Sequence, residues 1–71
     1  MNSLFLRAIE NGEKLEMIYQ SDKGILTQRI IGVRKIGKEY IQAYCYTKHQ
    51  IRTFKINNIL SIAPIRHKRG A

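Results

Sequence analysis

The spacing of the apolar residues changes once along this chain, at Gly12, and that change restricts the fold more than any other feature. Before it, Ser3 followed by Leu4, Phe5, Ala8 and Ile9 has the spacing of a short helix with one apolar stripe. Ser3 reads as its N-cap and Asn11-Gly12 as its stop. After it, apolar and polar residues alternate and β-branched and aromatic residues become frequent, which is the pattern of strands. A helix of roughly two to three turns does not persist alone. Its Leu4, Phe5 and Ile9 face is therefore expected to dock on the sheet that follows.

Strands are expected at Leu15 to Gln20, Ile25 to Arg34, Glu39 to Tyr46, Ile51 to Ile56 and Ile59 to Ala63. Ser21-Asp22-Lys23-Gly24, Ile36-Gly37-Lys38, Thr47 to Gln50 and Asn57-Asn58 supply the turns between them, and Pro64 ends the last. Gly32, inside the long second strand, marks an expected bulge or bend. Hairpin-joined short strands behind one helix predict a mainly β fold, a small antiparallel barrel or strongly bent sheet. On the third strand Ile41, Ala43 and Cys45 form the expected core face, with Tyr40, Gln42, Tyr44 and Tyr46 opposite. On the fourth, Phe54 and Ile56 are expected inside; Arg52 shares their parity and belongs at the barrel mouth or where the strand twists outward.

A chain of 71 residues makes one domain, expected over residues 1–65 with a basic disordered tail over 66–71. A core this small contributes no more than roughly 3–5 kcal/mol. Cys45 is the single cysteine, so an internal disulfide is excluded, and with no secretory leader the expected location is the cytoplasm. No run reaches the roughly 18 apolar residues of a membrane span. The expectation is a soluble protein with no membrane partner.

The formal net charge is +8, which favours an anionic partner. All five acids (Glu10, Glu13, Glu16, Asp22 and Glu39) precede Tyr40. Lys48, Arg52, Lys55, Arg66, Lys68 and Arg69 thus read as uncompensated charge. The lesser alternative is that the charge serves general solubility.

No catalytic constellation stands out. His49 in a turn and His67 in the tail have no carboxylate or thiol at ligand or triad spacing, and no glycine loop for phosphates is present. Neither an enzyme nor a metal or cofactor is expected. Cys45 reads as a packing residue. Tyr40, Tyr44 and Tyr46 offer either stacking faces for bases, each worth about 1–3 kcal/mol, or an apolar platform for the helix. Arg29 and Arg52, held on strands, present positioned forks for phosphate, or else a solvated face or surface ion pair.

Several segments, in order, resemble the WYL domain, an accessory module of bacterial transcription regulators. They are Leu15-Glu16-Met17-Ile18-Tyr19, Thr27-Gln28-Arg29, Glu39-Tyr40-Ile41 in place of the naming triplet, and Arg52-Thr53-Phe54-Lys55-Ile56-Asn57-Asn58-Ile59. The resemblance implies a five-stranded SH3/Sm-like barrel after an N-terminal α-helix. It also implies a module that binds nucleotides or single-stranded nucleic acid through basic and aromatic residues and regulates an attached domain. Arg29, Tyr40, Arg52 and Lys55 would then face the ligand, with Tyr44 added as a stacking residue. The chain departs from the family at Glu39, where the family has tryptophan, at Val33 in place of a proline, and at Asn57-Asn58, where the family has Asp-Arg.

The expected function is therefore a free-standing binding module for single-stranded nucleic acid or a nucleotide. Without a helix-turn-helix ahead of the strands, its regulatory output would pass through a partner. The alternative is a protein-interaction or homo-oligomeric assembly module, in which the tyrosines are buried against another subunit.

Overall fold

The computed structural model describes residues 2–65. Helix α1 (Asn2–Asn11) is followed by β1 (Leu15–Gln20), β2 (Leu26–Ile36), β3 (Tyr40–Cys45), β4 (Gln50–Lys55), a 3-10 turn (Ile56–Asn58) and β5 (Ile59–Pro64). The strands make one antiparallel sheet in the order β4-β3-β2-β1-β5. The fold is mainly β, with an N-terminal helix, as the alternation predicted. The basic segment after Ile65 lies outside the described residues.

Helix α1 ends as expected. Gly12 takes φ 65, its N–H donates to the Ile9 carbonyl and the Glu13 N–H to the Ala8 carbonyl, the paired bonds of a left-handed glycine stop. Its start differs, because Ser3 lies inside the helix, which already includes Asn2. Its docking face differs too. Phe5 and Ala8 are buried and Leu4 packs beside them, while Ile9 is 37% exposed. The helix is thus turned so that its small residue is buried in the core, and it packs mainly on β2.

The core is one cluster of Phe5, Ala8, Leu15, Met17, Ile31, Val33, Ile41, Ala43, Cys45, Phe54 and Ile59. Its β3 members are those the alternation predicted. No tyrosine of β3 belongs to it, so these rings do not form the helix's platform.

Two irregularities bend the sheet. Val33 pairs with Ala43 but Lys35 with Gln42, so the extra residue on β2 is Arg34 and not the expected Gly32. An alternation interrupted there carries Ile36 back to the core face, opposite Ile41. On β5 the extra residue is Leu60: Ile59 pairs with Tyr19 and Ser61 with Ile18. Gly32 has a different role, since a Cβ there would stand 3.3 Å from the Tyr46 ring, which lies against it.

The ladder does not close. β4 and β5 remain unpaired edges, and the sheet is curled rather than joined into a complete barrel. Side chains bridge the gap in the curl, and there the candidate site lies.

Candidate functional site

At the end of the concave face, β1 and β4 approach one another although β2 and β3 lie between them. Tyr19 and Phe54 meet edge to face with ring centres 5.0 Å apart. The Tyr19 hydroxyl oxygen accepts a 2.9 Å hydrogen bond from the backbone N–H of Lys55. Over this aromatic floor opens a groove of about 360 Å³ lined by Tyr19, Ser21, Asp22, Arg29, Tyr40, Arg52, Thr53, Phe54 and Lys55.

Of the residues singled out by sequence, Arg29, Tyr40, Arg52 and Lys55 line this groove together. Arg29 is half-buried and fixed on three sides. Its Nε donates to Thr27 Oγ1 at 3.1 Å, its Nη1 lies 3.7 Å from Cys45 Sγ, and its guanidinium carbon stands 5.5 Å from the Phe54 ring centre. A guanidinium stacked on an aromatic face and tied at Nε keeps its outer N–H groups for a partner. Arg52 is exposed and pairs in register with Ala43, so it leaves the core face at the groove mouth. Tyr40, 44% exposed, stands at the rim as the first residue of β3.

Tyr44 does not join them. It is half-buried and packs edge to face on Tyr46, with ring centres 4.8 Å apart. Lys14 places its ammonium 4.4 Å from the Tyr46 ring centre, so this tyrosine pair is engaged within the chain.

Lys55 is not uncompensated charge. Its Nζ reaches Asp22 Oδ1 at 3.3 Å and Oδ2 at 3.4 Å, and Asn58 Nδ2 donates to the same Oδ1 at 3.2 Å. The Asn58 hydrogen bond and the Lys55 ammonium hold the Asp22 carboxyl below its ordinary range, and Asp22 raises Lys55 in return. Both side chains are solvated, so this is a tether between loop and strand and not a strong clamp. Sequence reasoning missed Asp22 as a site residue. Its only signal was a lone acid in the first hairpin loop.

Phe54 and Tyr19 also belong to the site, as its floor. A second cavity of about 200 Å³, lined by Glu39, Tyr40, Lys55 and Asn57, adjoins the groove. A third, of about 350 Å³, lies by Gly12, Glu13, Lys14, Pro64 and Ile65. It holds one cation, Lys14, already over a tyrosine ring, and so offers less to an anion. Among the described residues no three His, Cys, Asp or Glu side chains gather as metal ligands. Among the described residues no helix is long and apolar enough to cross a membrane.

The family model of the WYL domain matches residues 3–64. Among solved structures the chain is similar to Proteasome accessory factor B/C (PafBC) of Arthrobacter aurescens, with 25% identity and a TM-score of 0.79. The match covers 93% of this chain and 11% of that one, so the chain spans a small part of that protein's length. No curated protein matches it.

Proposed function

The chain belongs to the WYL domain family, and from that premise we propose that it is a regulatory ligand-sensing module. Its ligand on this reading is a nucleotide or single-stranded nucleic acid held in the groove between β1 and β4. The observation that carries the proposal is the convergence of Arg29, Arg52 and Tyr40 over the Tyr19–Phe54 floor. Two guanidinium groups suit phosphate oxygens, and an exposed ring beside them suits a base. Arg66, Lys68 and Arg69 would add salt-sensitive attraction.

The groove lies beside the edge strand β4, which favours an unstacked strand over a duplex. Ligand occupancy would reach a partner or attached domain through the β1–β2 loop. That loop is tied to the site by Asp22 and therefore responds to whatever engages Lys55.

The test is fluorescence anisotropy of labelled single-stranded and duplex oligonucleotides. It compares the full chain, Arg52→Glu, and a variant with alanine at Arg66, Lys68 and Arg69. Preferential single-strand binding that falls at least about tenfold in Arg52→Glu and survives in the tail variant is the expected result. Binding that ignores Arg52 and vanishes with the tail charges overturns the groove assignment.

One observation favours a second reading, assembly. β4 is an unpaired edge and carries an exposed Ile51. Light scattering over a concentration range separates the two: a constant one-chain mass removes self-assembly.

A further inference from the structure

Tyr40 and Lys55 are cross-strand partners, and they line both the groove and the smaller cavity beside it. They form a ridge between two compartments that differ in the rest of their lining. On one side stand Arg29 and Arg52 over two aromatic rings; on the other stand Glu39 and Asn57, with no arginine. Where the resemblance places tryptophan, this chain has Glu39, so the carboxylate in the smaller compartment is its own feature.

The backbone holds that compartment together. The Glu39 carbonyl accepts a 2.9 Å hydrogen bond from the Ile56 N–H, fixing the start of β3 against the 3-10 turn that carries Asn57. Among the described residues Glu39 forms no ion pair, because the nearby Lys55 ammonium is engaged by Asp22. Its carboxylate therefore keeps its acceptor capacity. Although Lys55 also borders the cavity, this carboxylate suits a neutral group with N–H donors better than it suits a phosphate.

We infer that the smaller cavity is a base subsite and that Glu39 makes it select guanine. This rests on the groove being a nucleotide site. A carboxylate accepts two parallel hydrogen bonds. Of the common bases, only guanine presents two adjacent donors, N1–H and the N2 amino group, with no acceptor between them. Adenine and cytosine place a ring acceptor beside their amino group, and uracil flanks its single N–H with two carbonyls. Asn57 adds an amide donor suited to the guanine O6, and Tyr40 offers its ring as a stacking face on the ridge. The phosphate lies across the ridge, at Arg29 and Arg52.

The experiment measures dissociation constants of fluorescently labelled GDP, ADP, CDP and UDP for the full chain, Glu39→Ala and Arg52→Glu. Glu39 is exposed, and circular dichroism checks that its variant stays folded. GDP is expected to bind about tenfold more tightly than the others, with the preference lost in Glu39→Ala through weaker GDP binding alone. Equal binding of all four, abolished by Arg52→Glu, overturns the base subsite and leaves the groove reading intact. A guanine preference that survives Glu39→Ala overturns the role of Glu39. If no nucleotide and no oligonucleotide binds, both readings fail. A uridine heptamer with one central guanosine, set against free GDP, identifies whether the base arrives in a strand or as a nucleotide.

Discussion

The hydroxyl oxygen of Tyr19 accepts the backbone N–H of Lys55 at 2.9 Å, joining the end of β1 to the end of β4 across the open side of the sheet. With no ladder closing that side, this bond and the Tyr19–Phe54 ring contact set the curl that forms the groove. Tyr19→Phe keeps the ring and removes the acceptor. It is expected to cost about 1 kcal/mol, which lowers the midpoint of thermal unfolding by about 4–8 °C in a domain of this size. Oligonucleotide affinity should fall with it. An unchanged unfolding midpoint, followed by circular dichroism, would show that the bond does not hold the curl.

The Asp22 tether has a pH dependence with a definite sign. Asn58 and Lys55 favour the ionised carboxylate, so the folded-state value lies below the unfolded value of 3.8. The tether's contribution is then fully present above the unfolded value and is lost as pH falls through the folded one. Lys55 runs the other way. Its folded value lies above 10.5, so the same contact persists through neutral pH and is lost only as strong alkali deprotonates the ammonium. Nuclear magnetic resonance of the Asp22 carboxyl carbon should give a midpoint below 3.8, and Asn58→Ala should move it upward. A midpoint at the ordinary value in the full chain would remove the tether.

What was readable in the sequence is what depends on neighbours along a strand. Alternation placed Ile41, Ala43 and Cys45 inside, and the glycine stop at Gly12 followed from local backbone rules. The bulge was misplaced because Gly32 attracted the expectation, whereas the spacing of Val33 and Ile36 demands one extra residue between them, at Arg34. The docking face of α1 was misread at one position, Ala8 standing inside in place of Ile9 while Leu4 and Phe5 kept theirs, because Ile9 is more apolar than Ala8 yet lies outside. Asp22 and Lys55 are separated by 33 positions. Their pairing depends on the curl of the whole sheet, so the apparent surplus of charge in the second half of the chain was overstated. Arg29, Tyr40, Arg52 and Lys55 were readable as a set through the family resemblance, while Tyr44 was carried along by parity and is engaged by Tyr46.

Cys45 has no exposed surface, and its sulfur accepts the approach of Arg29 Nη1 from the site. A thiol so placed reacts only when the sheet opens. Modification by a disulfide reagent should therefore follow the unfolding rate and slow whenever a ligand stabilises the fold. Cys45→Ser places a hydroxyl in the core, at a cost of about 1–3 kcal/mol. That is a large share of what so small a core provides, so its urea midpoint should fall clearly below that of Cys45→Ala. Rapid modification in native buffer would contradict the burial.

The salt dependence of strand binding counts the positioned cations. On single strands the slope of log K against log salt is about −0.7 for each phosphate neutralised. Arg29 and Arg52 are free of carboxylate partners among the described residues, and Lys55 is not. With alanine at Arg66, Lys68 and Arg69, two effective cations remain and the slope should be about −1.4. Arg52→Gln in that background should bring it to about −0.7. Asp22→Asn should move it the other way, to about −2.1, because Lys55 is released to the ligand. A slope that stays the same in the Asp22 variant would mean that Lys55 already faces the strand, with the tether broken in the complex. The bound state would then release the β1–β2 loop from the site, and that release would be the signal a partner reads.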